Sequence, residues 1–179
     1  MNRAVPVERR IHVGQGAFEV AAAPDAVLTT ILGSCVAACL WDAQAQVGGM
    51  NHIVLPDAPE GDLRRASAGV NAMELLINGV IRAGGARARL QAKLFGGARM
   101  ISGLTDIGGR NADFARGFLD REGIPCVSES LGGTQGRRVQ FWPCTGRARQ
   151  MLMGSAEVPP EEVAPLPRTA EPGNDIELF

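Results

Sequence analysis

Two residues in the first third of the chain, Cys35 and His52, have side chains that together could perform nucleophilic catalysis. They lie in two apolar stretches, residues 27–41 and 47–56, which flank the short polar segment DAQAQ and so predict a buried β-hairpin. If the turn is centred between Ala43 and Gln44, Cys35 lies directly opposite His52, with Cβ atoms about 4.5–5.5 Å apart. An imidazole at that distance can take the thiol proton, stabilise the thiolate and later protonate a leaving group.

The small residues around this pair suit a site that a substrate must approach. Gly33 and Ser34 precede the cysteine, where backbone amides could bind an oxyanion, and the glycine pair 48–49 keeps the groove before the histidine open. The alternative is that Cys35 is a small buried hydrophobe and His52 an ordinary buried polar side chain. His12 has no comparable setting, and we interpret it as structural.

Composition excludes several other classes of protein. The chain has 179 residues, of which 45% are hydrophobic and 21% charged, as expected for one globular domain with a short tail. No apolar run is long enough for a membrane span, and the N-terminus lacks the apolar core of a signal peptide. A net charge of −1 argues against a dedicated nucleic-acid binder. The four cysteines (35, 39, 126 and 144) are predicted to be free thiols, and their spacing relative to the two histidines does not predict a metal site.

The elements that would position the pair belong to an α/β or α+β domain. Apolar residues at three- and four-residue steps predict one helix across residues 70–81, ended by glycines 84–85, and a second across 111–122, ended by Gly123. Alternating or short apolar runs predict strands at 11–13, 18–22, 89–95, 124–129, 137–142 and 147–153. We therefore expect about two long helices packed on a mixed, largely antiparallel sheet.

Three glycine-rich strings, FGG at 95–97, IGGRN at 107–111 and GGTQG at 132–136, do not match a phosphate-binding loop. We interpret at least two of them as turns at strand ends.

Charge divides the chain into two parts. Residues 1–154 carry a net charge of +4, whereas residues 155–179 carry −5 together with five of the eleven prolines. This predicts a domain over 1–154 followed by a mostly disordered acidic tail. The apolar residues at the end of the tail could form a docking peptide, or the tail could serve only for solubility.

Longer strings of the sequence resemble a known family. TTILGSCVAACLWD, VGGMNHIVLP, NAMELLINGVI, AKLFGGARM, IGGRN, REGIP and LGGTQGRRVQFWPCTG, in this order over roughly residues 10–150, closely resemble the CheD family, the bacterial chemoreceptor glutamine deamidases. The resemblance implies a fold similar to the toxin-type cysteine deamidases with a Thr–Cys–His site. On this chain the nucleophile is then Cys35, the base His52 and the threonine Thr29, with its neighbour Thr30 as the alternative.

The resemblance also implies the reaction. A thiolate at Cys35 would attack the side-chain amide of a glutamine on a methyl-accepting chemotaxis receptor, and a thioester would be hydrolysed to glutamate without a cofactor. The implied partners are the cytoplasmic helical region of the receptors and a CheY-phosphate phosphatase, which we associate with Phe95, Gly96 and Gly97. The implied location is the cytoplasm. Two alternatives remain: a non-catalytic adaptor that binds a receptor or the phosphatase, and a receptor methylesterase that uses the same nucleophile.

Overall fold

The described part of the chain folds into two β-sheets and two long helices. The computed structural model describes residues 7–59, 61–103, 105–154 and 158. In this part of the chain the strands are β1 (Arg9–His12), β2 (Phe18–Ala21), β3 (Ala26–Leu32), β4 (Val36–Asp42), β5 (Val47–Asn51), β6 (Gln91–Gly96), β7 (Cys126–Leu131), β8 (Gly136–Trp142) and β9 (Arg147–Met153). The helices are α1 (Leu63–Arg82) and α2 (Ile107–Glu122), with a short 3₁₀ turn at Arg87–Arg89 before β6.

The two sheets are both mixed. One has four strands in the order β1-β3-β8-β9, and the other has five in the order β2-β5-β4-β6-β7. In each sheet a single pair is parallel, β1 with β3 and β6 with β7, and the remaining pairs are antiparallel. The predicted fold class, a mixed and largely antiparallel β-structure with two long helices, is confirmed.

The central strand β4 is buried between the helices on one side and the four-stranded sheet on the other. All seven of its residues are buried, because alternate side chains face different cores. Val36, Ala38 and Leu40 pack with the helices, whereas Ala37, Cys39 and Trp41 pack against the four-stranded sheet. The five-stranded sheet is therefore the middle of three layers, and its central strand is apolar on both faces.

The helices begin and end at residues suited to those positions. The Asp62 side chain accepts a hydrogen bond from the Arg64 amide at the start of α1, and Asp106 accepts one from the Gly109 amide at the start of α2. Gly123 ends α2 in the left-handed conformation with φ of 66°, as the sequence predicted. Because Asp106 caps it, α2 starts four residues before the predicted boundary, and the string IGGRN forms its first turn. The other two glycine strings lie at strand ends, as expected.

The apolar stretch 27–41 contributes two strands, and only the second of them belongs to the predicted hairpin. It divides at residues 33–35 into β3 and β4, which belong to different sheets. The predicted class therefore takes the form of two mixed sheets, because a continuous apolar run does not show where the chain leaves one sheet for another. Cys35 lies at this crossing.

The hairpin of β4 and β5 forms as predicted, but its register differs by two residues. Cys39 pairs with Met50 and Asp42 pairs with Val47, so that Val36 lies opposite Ile53 and His52 lies opposite Ala37. Cys35 and His52 are therefore diagonal neighbours rather than direct partners. A shift of two residues keeps every side chain on its predicted face, so both still face the same side.

The turn itself accounts for the shifted register. The Asp42 carboxylate, which is fully buried, accepts hydrogen bonds from the amides of Gln44 and Ala45, and this centres the four-residue loop one position later than expected. The same carboxylate accepts hydrogen bonds from the Ala86 amide and from the Arg89 guanidinium. The bond from Arg89 is the largest cause that lowers the pKa of Asp42 well below its usual range, against the opposing effect of burial.

We expect Asp42→Asn to destabilise the protein by about 2 kcal/mol at pH 7, because a neutral amide cannot accept all of these bonds. Since the pKa of Asp42 is lower in the folded than in the unfolded chain, its contribution is fully present above the unfolded pKa of about 4. It declines progressively as the pH falls from there toward the lower pKa of the folded state. Chemical denaturation of the variant and the wild type at pH 7 and near pH 3 measures both differences. Asp113→Asn, which changes an exposed carboxylate on α2, is the control. An equal loss of stability at both pH values would contradict this account.

Candidate active site

Cys35 lies in the three-residue connection between β3 and β4, and the carbonyls of this connection are held from inside the protein. The Gly33 carbonyl accepts a hydrogen bond from the Ala98 amide at 3.0 Å, and the Cys35 carbonyl accepts one from the Gly97 amide at 2.9 Å. The Ser34 carbonyl between them accepts a bond from the Asn111 side chain at 3.0 Å. Three successive carbonyls thus point away from the surface, and the cysteine is fixed on both sides.

The glycines after β6 permit this close contact. A Cβ at Gly96 would overlap the Cys35 carbonyl oxygen, and both Gly96 and Gly97 have positive φ, 112° and 66°. Phe95 packs in the core between the sheets, and all three residues are buried. The string FGG, which the sequence analysis associated with partner docking, therefore lies beneath the nucleophile loop and supports it.

His52 directly follows β5, and its backbone hydrogen bonds continue the five-stranded sheet. Its amide donates to the Ala17 carbonyl and its carbonyl accepts from the Gly16 amide. Cys35 and His52 are only 4% and 3% exposed, on the same side of the hairpin.

Thr30 on β3 fixes the imidazole of His52. The Thr30 hydroxyl donates its single proton to the Val13 carbonyl, 2.8 Å away, and lies 2.9 Å from His52 Nδ1. Because that proton is already used, the hydroxyl can only accept from the ring, so Nδ1 carries the hydrogen in the neutral imidazole. The lone pair is then on Nε2, which is the nitrogen able to take a proton from a thiol.

Thr29, the residue indicated by the family resemblance, faces the other way. Successive side chains of a strand alternate, and Thr30 shares the inner face of β3 with Leu28 and Leu32. Thr29 is half-buried on the opposite face, where its strand neighbours are His12 and Gln140. The contact with His52 thus comes from Thr30, the alternative that the sequence left open.

A small pocket adjoins Thr30 and His52. Its volume is about 130 Å³, which would hold about four water molecules. The described residues that line it come from both sheets and the loops beside them: His12, Gln15, Thr30, Ile31, Gly33, His52 and Val158. His12, which we interpreted as structural from the sequence, is therefore part of the pocket wall. Only the strand pairing of β1 with β3 reveals this. Val158 brings the beginning of the predicted tail to the same wall.

The other three cysteines are poor candidates for a reactive thiolate. Burial raises the pKa of Cys39 far above its usual range. Burial, and then the nearby carboxylate of Glu129, raise the pKa of Cys126, and burial and Asp25 raise that of Cys144. Cys126 is nevertheless the one exposed thiol of the four. Within the described residues, no group of three or more His, Cys, Asp or Glu side chains could hold a metal ion.

The tautomer of His52 can be tested with two neighbouring variants. We expect the ¹⁵N NMR spectrum of the wild type and of Thr29→Val to show hydrogen on Nδ1 of neutral His52, and Thr30→Val to lose this preference because its side chain cannot accept a hydrogen bond. A His12→Gln background leaves a single histidine to observe. Identical His52 spectra for Thr30→Val and the wild type would show that the hydroxyl does not fix the ring.

Alkylation should distinguish the thiols. At pH 7 we expect iodoacetamide to modify Cys35 first, because its imidazole neighbour can take the thiol proton, and to modify Cys126 only at higher pH despite its exposure. Peptide mass spectrometry after short incubations at several pH values identifies the site, with Cys35→Ala as the control. Faster modification of Cys126 at pH 7 would contradict an activated thiol at Cys35.

Comparison with known proteins places the chain in a family. The family model for CheD chemotactic sensory transduction matches residues 54–151, beginning just after His52. The chain is 50% identical to the probable chemoreceptor glutamine deamidase CheD of Caulobacter sp. (strain K31), over 95% of this chain and 93% of the relative. It is 49% identical to that of Agrobacterium fabrum, over 96% and 97%, and 52% identical to that of Acidiphilium cryptum, over 96% and 94%.

Among solved structures, the chain is similar to Neisseria meningitidis protein NMB0706, with a TM-score of 0.45 and 12% sequence identity. The match covers 75% of this chain and 63% of the Neisseria chain. A likeness of this size supports no conclusion. No helix in the described part of the chain is both long and apolar enough to cross a membrane. The extent and identity of the sequence matches show that the chain belongs to the CheD family.

Proposed function

We propose that this protein hydrolyses the side-chain amides of specific glutamines on chemoreceptors to glutamate, with Cys35 as nucleophile and His52 as base. The proposal depends on one observation. The Cys35 thiol lies on a loop fixed by hydrogen bonds, on the same face as the His52 imidazole, whose Nδ1 is hydrogen-bonded to Thr30. Relatives about 50% identical over nearly their whole length carry the name chemoreceptor glutamine deamidase, which supplies the substrate.

The reaction follows from these groups. His52 Nε2 takes the thiol proton, and the thiolate of Cys35 attacks the carboxamide carbon to form a tetrahedral oxyanion. The imidazolium protonates the nitrogen as the carbon–nitrogen bond breaks, which releases ammonia and leaves a thioester. His52 then takes a proton from water, the hydroxide attacks the thioester carbon, and the sulfur departs as thiolate. The product is glutamate, and no redox change or cofactor is required.

The oxyanion would be stabilised by backbone amides in the Gly33–Ser34–Cys35 connection. A trans peptide unit is planar, with its carbonyl and amide on opposite sides, so the inward carbonyls of Gly33 and Ser34 turn the amides of Ser34 and Cys35 the other way. Two fixed amide donors beside a nucleophile constitute an oxyanion hole.

Thr30 is proposed as the positioning residue for His52. It holds the tautomer in which Nε2 is the base, a role that the third member plays in other catalytic triads. Thr29, which the resemblance assigned to this role, stays a prediction without a described contact to the imidazole.

The proposed function also includes a receptor partner, a cellular location and the limits of the catalytic domain. We propose the cytoplasmic helical region of a methyl-accepting receptor as the substrate, with one glutamine side chain entering the pocket of about 130 Å³ at Thr30 and His52. We keep a cytoplasmic location, a CheY-phosphate phosphatase partner, and a deamidase domain over 1–154 as proposals. The tail from 155 to 179 lies outside the described residues except for Val158.

The test is site-specific conversion of glutamine to glutamate in a receptor cytoplasmic fragment, followed by peptide mass spectrometry. We expect the wild type to convert defined glutamines, and Cys35→Ala and His52→Ala to lose activity by about 10³-fold or more. Cys39→Ala, a buried thiol four residues along the chain, is the matched control and should retain activity.

If the wild type converts no glutamine on several receptors from the same cell, the deamidase proposal fails and the adaptor alternative replaces it. Conversion that persists in Cys35→Ala would instead show that the nucleophile is misassigned.

A further inference from the structure

A buried polar chain connects both helices to the residue before the nucleophile. Asn111 on α2 and Arg65 on α1 are only 2% and 9% exposed. Asn111 Nδ2 donates to the Ser34 carbonyl at 3.0 Å, and Asn111 Oδ1 accepts from Arg65 Nη2 at 3.0 Å. Arg65 Nη1 donates to the Pro56 carbonyl at 3.1 Å. Burying an amide and a guanidinium is costly unless their bonds are made, so a network of this kind is specific in its geometry.

The direction of the Asn111 amide is set by Arg65. A guanidinium only donates, so the atom facing it must be the acceptor Oδ1, and Nδ2 is thereby turned toward the Ser34 carbonyl. With the amide reversed, two oxygens would face each other at Ser34 and two donors at Arg65. The arginine therefore determines which end of Asn111 reaches the nucleophile loop.

The bond to Ser34 fixes the peptide unit whose other end is the Cys35 amide. In a planar trans peptide the Ser34 carbonyl and the Cys35 N–H point in opposite directions, so holding the carbonyl inward directs the N–H outward. On the proposed function, this N–H is one of the two that stabilise the oxyanion. Asn111 is the side chain that holds this carbonyl, whereas those of Gly33 and Cys35 are held by backbone amides.

The close packing of α2 brings Asn111 within reach. A Cβ at Gly108 would overlap the carbonyls of Gly97 and Ala98, and one at Gly97 would lie 2.8 Å from the Gly108 carbonyl. The first turn of α2 therefore contacts the loop after β6 backbone to backbone, and that same loop supplies the amides that hold Gly33 and Cys35.

We infer that Asn111 is a positioning residue for the oxyanion-binding amide of Cys35, and that Arg65 orients the Asn111 side chain for this role. The inference rests on the proposed function, since it specifies how that site stabilises its transition state. It assigns a purpose to two buried residues on different helices that make no contribution as acid, base or nucleophile.

The variant that tests this is Asn111→Asp. It has nearly the same shape and keeps an acceptor for Arg65, but it replaces the donor at Ser34 with a carboxylate oxygen that repels the carbonyl. We expect kcat for receptor deamidation to fall about 10- to 100-fold with little change in KM. This is less than the roughly 10²- to 10³-fold loss found when an oxyanion-hole donor is removed outright, because the Cys35 amide is still present and only its orientation is disturbed. Arg65→Lys should give a smaller loss of the same kind, because one ammonium cannot span both acceptors. Asp113→Asn, on an exposed face of the same helix, is the control and should not change kcat.

Alkylation of Cys35 by iodoacetamide separates positioning from general structural damage. Alkylation forms no oxyanion at a carbonyl, so its rate at the high-pH plateau should be unchanged in Asn111→Asp while deamidation falls. Parallel loss of both rates, or unchanged kcat in a folded Asn111→Asp protein, would overturn the inference. Absence of deamidation by the wild type would instead refute the proposed function, so the two failures are distinguishable.

Discussion

The structure depends on the way the chain passes from one sheet to the other in three residues. β3 ends at Leu32 and β4 begins at Val36, and the carbonyls between them all accept hydrogen bonds from the interior. Buried carbonyls without donors are costly, so this short crossing requires partners brought from distant parts of the chain. The loop after β6 supplies two backbone amides and α2 supplies an amide side chain. The glycines in FGG and IGGRN are what allow those segments to come so close.

Much of this arrangement could be predicted from residues alone. The two helices, the hairpin and the shared face of Cys35 and His52 follow from periodicity, which reports which side of an element is buried. The hairpin register was displaced by two residues because the Asp42 carboxylate binds the amides of Gln44 and Ala45 and recentres the turn. The predicted placement of Cys35 and His52 on one face still holds, because a register shift of two residues leaves every side chain on the same face of the sheet. An odd shift would have placed the thiol and the imidazole on opposite sides of the sheet.

The features that escaped prediction are those that join segments far apart in sequence. The division of 27–41 between two sheets, and the bond from Asn111 to a carbonyl 77 residues earlier, leave no periodic signal. The choice between Thr29 and Thr30 is similar, because both are threonines in one strand and only the identity of the inward face decides between them. The inward face is the one that carries Leu28 and Leu32, which pack against the five-stranded sheet.

The bond between Thr30 and His52 has a mechanical consequence. Thr30 belongs to the four-stranded sheet, and the backbone of His52 continues the five-stranded one, so this bond crosses an interface whose facing side chains are mostly apolar. Apolar contacts tolerate small sliding, whereas a hydrogen bond weakens steeply with misalignment. A slight shear between the layers would therefore disturb the imidazole before it broke any strand ladder. The orientation of the His52 imidazole therefore depends on how closely the two sheets keep their relative position.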